Sequence, residues 1–409
     1  MEIRKYDPKN DEKSVLRIFR EVGWLTSKEE EPGIKIYLNG SRALIADING
    51  EAECFAGTMP GVIKYLREDL PFTAVTGVAT SRIARKQGLA AKLTAKVIAR
   101  DAAAGALVVG LGIFEQGFYD RLGFGSGVYE QRFSFDPSLL NVNCSFRPPK
   151  RIEPEDYKQV QQALVNRRRG HGSINILQDN SIHAELIWIK GSFGLGYYDG
   201  PNGELTHFLW IKGSGESGPY DIPVYAFRTG DQYLELLALL KSFGDQVRLV
   251  TMREPAGIQF QDLIEQPFKL RQMTAKSKYE NRCRSSSYYQ VRICNLEECL
   301  ARTKLPHGSI RFNLEVSDSI SAYLDKSDPW QGIGGEYVVS LGQESAAVPG
   351  KDSGLPTLQA SIGAFTRLWL GVRPATGLMI TDDLAGPEEL LRKLDVLLQL
   401  PEPKPEWDF

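Results

Sequence analysis

The stretch from Phe72 to Gly105 limits the possible folds more than any other part of the chain. Phe72-Thr73-Ala74-Val75-Thr76-Gly77-Val78-Ala79-Thr80 has the β-branched, apolar character of a strand. Arg85-Lys86-Gln87-Gly88-Leu89-Ala90 then leads directly into an amphipathic helix. Leu89, Leu93 and Val97 mark its buried face, and Gly105 is a natural stop after the alanine-rich end. A strand, a short loop of small and basic residues and a helix N-terminus read either as an anion-binding arrangement or as an ordinary strand–helix turn with solvated basic residues. The first-turn amides have no partner in the helix, the dipole favours negative charge, and Gly88 permits close approach to the backbone. Arg85 and Lys86 add formal charge beside it. This excludes an all-α or all-β beginning, and the chain reads as α+β with an α/β-like first part.

A chain of 409 residues exceeds one ordinary hydrophobic core, so two or three domains are expected. Two breaks divide it into segments 1–147, 148–287 and 288–409. One is the proline-rich connector Ser145–Lys150, followed by the acidic helix start at Glu153-Pro154-Glu155-Asp156. The other is the polar run from Lys276 to Ser287, followed by strand-like Tyr288–Ile293. In the first segment Leu44–Ile48 and Val108–Leu111 read as further strands, and Phe133–Phe135 closes it. The second reads as a helix over 155–169, strands at Glu185–Ile189 and Thr206–Trp210, a helix at Tyr233–Leu240 and a strand at Gln246–Val250. The third carries helices near Ala364–Leu370 and Pro387–Leu398.

Several classes of function are disfavoured. Formal net charge is −2 with no basic stripe, so a nucleic-acid partner is not expected. The start lacks the apolar core of a secretory signal, and Ala102–Ile113 is too short and too rich in Gly and Ala to span a bilayer. A cytoplasmic protein with no membrane partner is the expectation. Cys54, Cys144, Cys283, Cys294 and Cys299 form no regular framework, and the histidines are scattered. Reduced thiols and no metal follow.

Two residue groups invite a choice. Arg167-Arg168-Arg169-Gly170-His171-Gly172 also places arginines before glycines, but it ends a helix, where cations face the negative end of the dipole and glycine caps the turn. A phosphate there would meet carbonyls. Phe118-Tyr119-Asp120-Arg121-Leu122-Gly123-Phe124-Gly125 offers Tyr119 either as a core aromatic or as a proton donor to a departing thiolate, since phenol and thiol ordinarily have comparable proton affinities. Trp24 with Glu29, Glu30 and Glu31 reads as a solvated loop rather than the wall of an acidic pocket.

The spacing Arg85-x-x-Gly88-x-Ala90 resembles the acetyl-CoA signature of the GNAT superfamily of acetyltransferases. Over essentially its whole length the chain resembles the Eis ("enhanced intracellular survival") family of aminoglycoside N-acetyltransferases. The likeness is carried by Gly77-Val78 through Gly88-Leu89, by Phe118–Gly125, by Arg292–Leu296 and Leu314–Asp318, and by Leu391–Asp395 with the ending Trp407-Asp408-Phe409. The resemblance implies a GNAT domain, a second GNAT-like domain without a coenzyme site, and a C-terminal domain like sterol carrier protein 2. Acetyl-CoA would be the co-substrate, with the backbone of Val78, Ala79 and Thr80 along the pantetheine and Arg85, Lys86, Gln87, Gly88, Leu89 and Ala90 around the pyrophosphate. Tyr119 would protonate the leaving sulfur, and the carboxylate of Phe409 would attract the amine. A small-molecule amine as acceptor, an aminoglycoside or a polyamine, and a homo-oligomer, hexameric by resemblance, complete the picture. Acetylation of protein lysines, and a non-catalytic lipid or acyl-CoA carrier, remain alternatives on the sequence.

Overall fold

The computed structural model describes residues 1–112 and 115–407. Three sheets organise them. The first has eight strands. Glu2–Lys5, Arg42–Ile48, Glu51–Tyr65, Glu68–Thr80, Val108–Gly112, Tyr289–Ile293 and Gly125–Ser126 lie in that order, and Ile174–Ile176 pairs with Glu51–Tyr65. The second has seven, running from Arg282–Ser286 through Glu130–Phe135, Val250–Arg253, Tyr220–Ala226, His207–Lys212 and Ser192–Tyr197 to Lys150–Ile152. The third has five, centred on Ile310–Ser317.

One unit recurs in the first two sheets. Glu68–Thr80, helix Leu89–Ala103 and parallel strand Val108–Gly112 have a counterpart in Tyr220–Ala226, helix Gly230–Ser242 and parallel strand Val250–Arg253. The two copies differ at the helix start. In the second, the Thr229 side chain accepts from the Gln232 amide, and Gln232 accepts in return from the Arg228 and Thr229 amides at 2.8 and 3.3 Å. That reciprocal cap fills the place where an anion would bind. In the first, Gly88 is the N-cap, with φ of +75° and no side-chain hydrogen bond. The amides there stay open.

Strand pairing crosses the expected segment boundaries. Glu130–Phe135, expected to close the first segment, pairs with Val250–Arg253 and Arg282–Ser286 in the second sheet. Tyr289–Ile293, at the start of the third segment, completes the first sheet beside Val108–Gly112. The three segments meet at Tyr65, His171 and Trp369. The Tyr65 ring stacks on Trp369 with centroids 4.2 Å apart, and His171 meets its edge. His171 Nδ1 accepts from the Leu66 amide and Nε2 donates to the Leu370 carbonyl, both at 3.0 Å.

Three local expectations need correction. Glu185–Ile189 lies largely in a helix, Asn180–Trp188, and not in a strand. Its apolar run is explained by burial on two sides: Ile182, Ala184 and Leu186 are buried, and the helix also packs on Glu31–Gly40. Gly33 and Gly40 permit that approach, since a Cβ on either would fall 2.5 Å from Trp188 or 2.3 Å from Asn180. The helix expected over 155–169 covers Tyr157–Val165, because Arg167 folds back and donates to the Leu164 carbonyl at 2.7 Å. The strand expected at Gln246–Val250 starts only at Val250 and runs to Arg253.

Candidate functional site

The two parallel strands of the first sheet part company where the chemistry is expected. Glu68–Thr80 pairs with Val108–Gly112 from Phe72↔Val108 to Val75↔Leu111, and among the described residues the pairing runs no further. Beyond that point Glu68–Thr80 continues on its other side, with Phe55↔Ala79 and Cys54↔Thr80 after an irregularity opposite Phe55–Gly57. Among the described residues no strand covers the edge of Val78, Ala79 and Thr80 on that side, and Val78 lines a notch there. Gly77 sits at the irregularity with φ of +67°, where a Cβ would fall 3.1 Å from the Tyr37 hydroxyl. Tyr37 hydrogen-bonds Thr76 next door.

Below the notch, the chain turns through Arg82–Ala84 and reaches Gly88. Arg85, Lys86, Gln87 and Gly88 are exposed, Leu89 is buried as the first core residue of the helix, and Ala90 is half-buried. A Cβ on Gly88 would meet nothing within 4 Å. Arg85 and Lys86 have no ion-pair partner among the described residues. An open cradle of free amides with two unspent cations is what a pyrophosphate needs, so the residues fit acetyl-CoA.

Tyr119 stands at the head of the notch. It is 8% exposed and packs with Val75, Leu111 and Phe124. Among the described residues its hydroxyl has no hydrogen-bond partner. Burial first, and the Glu115 carboxylate second, push its pKa up to about 12. The phenol is thus a weaker acid than its ordinary value implies. Burial raises a thiol in the same way, as it does for Cys54 and Cys294, each pushed up to about 11.

A cavity of about 600 Å³ opens from this point. Val75, Thr76, Gly77, Val78, Gly112 and Tyr119 form one wall. The rest of the lining comes from two places: Trp24, Glu30 and Tyr37 of the first segment, and Ser181, Glu185 and Trp188 of the second. The expectation of a solvated loop at 24–31 holds for the exposure of Trp24 and Glu29, the latter 73% exposed, while Glu30 and Glu31 are half-buried in helical turns. Ser27 and Glu30 form a reciprocal cap that starts a helical turn, and the helix Glu31–Gly40 follows at once. Ser27-Lys28-Glu29-Glu30 is the Ser-x-x-Glu signature of such a cap. Ser181, Glu185 and Trp188 were missed with the helix that carries them. Seven-residue spacing of Gly33 and Gly40 was the available signal for a partner helix.

Arg167 meets the helix end as expected, but the expected glycine cap is absent: the helix Tyr157–Val165 is capped by Asn166 at φ of −93°, and only Gly172 of the two glycines is left-handed. The buried Arg167 guanidinium donates to the carbonyls of Leu164 and Ile174 and reaches the Glu406 carbonyl at 3.3 Å. Burial lowers its pKa to about 10. It thereby clamps the tail: the Trp407 ring lies 5.4 Å from the guanidinium carbon, and Ile174 donates to the Pro405 carbonyl at 2.8 Å. Glu406 and Trp407 line a smaller cavity that shares Ser181 and Glu185 with the large one. Phe409 lies outside the described residues. The carboxylates of Asp199 and Glu235, beside His207, could in principle ligate a metal. Arg147 already occupies that place, with bonds of 2.7 to 3.0 Å to Asp199 and 2.8 Å to Glu235.

Among the described residues no helix is long and apolar enough to cross a membrane. Residues 2–127 match the profile of an acetyltransferase (GNAT) domain. No curated protein matches the chain. Among solved structures, one from Enterococcus faecalis described as a probable N-acyltransferase is similar over 100% of this chain and 99% of its own, at 18% identity and a TM-score of 0.79. A GCN5-related N-acetyltransferase from Kribbella flavida is similar over 100% and 98%, at 17% identity and 0.74. Eis1 from Mycobacterium abscessus is similar over 100% of both chains, at 14% identity and 0.75. Likeness at such identities speaks for the fold, and the profile speaks for the chemistry of the first part: residues 2–127 are a GNAT N-acetyltransferase domain, in a chain with the full-length α+β fold of those three structures.

Proposed function

We propose that the chain transfers the acetyl group of acetyl-CoA to a cationic amine held in the 600 Å³ cavity, in the manner of the Eis family. One observation carries this reading. One cavity is lined by Val78 of the strand edge, by Tyr119, and by two tryptophans and two glutamates. Acetyl-CoA use is typical of GNAT domains. Here Val78, Ala79 and Thr80 would pair with the pantetheine amides as an added strand. The amides around Gly88, Leu89 and Ala90, with Arg85 and Lys86, would hold the pyrophosphate, and Gln87 would border it.

Both substrates are bound together. Trp24 and Trp188 offer faces to a cation, and Glu30 and Glu185 favour it electrostatically. The Glu30 carboxylate, held below the usual range chiefly by the Thr26 amide, stays ionised. Once the amine has lost a proton to solvent, its nitrogen attacks the thioester carbonyl. The carbon–sulfur bond breaks, Tyr119 gives its proton to the sulfur, and the second proton that the nitrogen sheds on becoming an amide passes to solvent, from which the phenolate is reprotonated. The Phe409 carboxylate is proposed, by resemblance, to help attract the amine, and a hexamer belongs to the same proposal.

The test is a library of primary amines, including polyamines, aminoglycosides and lysine peptides, scored by release of CoA thiol. Acceptance of small di- and polycationic amines supports the proposal. Turnover with lysine peptides alone would replace the small molecule by a protein acceptor, and no thiol release with any amine would refute it.

A further inference from the structure

Tyr119 begins a tight turn whose far end is held from another part of the chain. The Leu122 amide donates to the Tyr119 carbonyl at 2.8 Å, and the Phe124 amide does so at 3.4 Å. The Leu122 carbonyl in turn accepts from Nη1 of Arg292. Arg292 projects from Tyr289–Ile293, the strand that completes the first sheet. Its side chain is 0% exposed, and it forms an ion pair of 2.7 Å with Asp318, itself 1% exposed. The Trp330 ring lies 5.1 Å from the guanidinium carbon.

Asp318 is fixed independently. It follows the central strand of the third sheet and accepts from the Ile333 amide at 2.9 Å and the Ile320 amide at 3.3 Å. Its neighbour Ser319 donates to the Arg121 carbonyl at 2.8 Å. The fit around the turn leaves no slack. A Cβ on Gly123 would fall 2.6 Å from Ile362 and 2.9 Å from Arg292 Nη1, and one on Gly125 would fall 2.4 Å from the Gly363 carbonyl oxygen.

The segment after Asp318 also grips the coenzyme helix. Asp325 and Asp328 take Lys96 at 2.9 and 2.7 Å, and Asp325 takes Lys92 at 3.2 Å. One stretch of the third segment therefore touches both the helix that would seat the pyrophosphate and the turn that carries the phenol.

A buried ion pair is a poor way to gain stability, because an apolar pair of similar volume usually packs at least as well. What the guanidinium provides is a donor reaching the Tyr119 turn. We infer that Arg292, locked by Asp318, is a positioning residue for Tyr119: it sets the phenol against the coenzyme helix, and the third segment is thereby part of the acetyltransferase site. This rests on the reading of Tyr119 as proton donor.

The test uses the full chain with a good amine from the library. Arg292→Met with Asp318→Leu removes both charges together, so that neither is left buried alone. Arg292→Lys keeps the charge but loses the fork that reaches Leu122. Both proteins should bind acetyl-CoA within twofold of the parent and turn over at least tenfold more slowly, with KM for acetyl-CoA unchanged. Placed on Tyr119→Phe, neither should cause a further loss. Unchanged turnover, or losses that multiply in the Tyr119→Phe background, would overturn the inference. If the double variant does not fold, Arg292→Lys is judged by the same criteria. A fully active Tyr119→Phe enzyme would instead overturn the reading of Tyr119, and the inference with it.

Discussion

Replacing Gly88 by aspartate puts a carboxylate at the mouth of the proposed pyrophosphate cradle. The damage to the fold is small and calculable. A Cβ at Gly88 meets nothing within 4 Å, so the cost is that of an L-residue at φ of +75°, about 1 kcal/mol and less for Asp than for most. The damage to binding is larger. A carboxylate about 5 Å from two phosphate charges, at an effective dielectric constant of about 40, costs about 3 kcal/mol, roughly two orders of magnitude in Kd. The control sits at the other end of the same helix. Gly105 has φ of +102° and equally open surroundings, so Gly105→Asp imposes the same strain and charge far from the cradle. Calorimetric titration with acetyl-CoA should show the loss for Gly88→Asp and near-parent affinity for Gly105→Asp. Equal affinities in the two variants, with both folded, would refute the placement of the pyrophosphate.

The other expectations are briefer. Tyr119→Phe should lower turnover by about a hundredfold with acetyl-CoA affinity little changed, and the parent's rate should not fall between pH 9 and about pH 10.5, since the phenol titrates at about 12; a basic limb in that range belonging to Tyr119 would contradict its burial. His171, its pKa lowered by burial from 6.5 to about 4, binds its proton more readily when unfolded, so its contribution is complete above pH 6.5 and is lost as pH falls towards 4. The loss reaches about 3 kcal/mol. Urea midpoints at pH 7 and pH 4.5 should show a steeper acid loss for the parent than for His171→Gln, and equal slopes would refute this. Residues appended after Phe409 should slow thiol release while leaving acetyl-CoA affinity intact; turnover equal to that of an N-terminally extended protein would remove the terminal carboxylate from the proposal.

The strand–turn–helix proposed to hold the coenzyme was legible because its signals are local. A strand, a glycine and a helix start lie within one short stretch, and the left-handed φ at Gly88 is what a glycine in that position suggests. The wall proposed for the acceptor was not legible, for a physical reason. It is assembled from helices Glu31–Gly40 and Asn180–Trp188, far apart in sequence, and the second is apolar on two faces. A helix buried on both sides loses the 3.6-residue alternation that identifies it, and Glu185-Leu186-Ile187-Trp188-Ile189 then reads as a strand. The Arg167 cluster illustrates the opposite case. Its role followed from chemistry at a helix C-terminus even though the helix end was placed too late. Arg292 was visible only as part of a matching motif, because nothing local says that an arginine on a core strand reaches a turn 170 positions away.

The crossing of strands between segments also governs how the protein is made. Synthesis delivers residues 1–147 first, yet Val108–Gly112 then has no neighbour on the side later taken by Tyr289–Ile293. Until Ile293 has left the ribosome, a nascent chain carries a bare apolar strand at the edge of its first sheet, a template for pairing with any other chain nearby. The chain is thus not a string of separately portable units. Cutting after the first segment should release a fragment that gathers into aggregates, and chaperone demand during translation should fall sharply once the strand at 289–293 emerges and closes that edge.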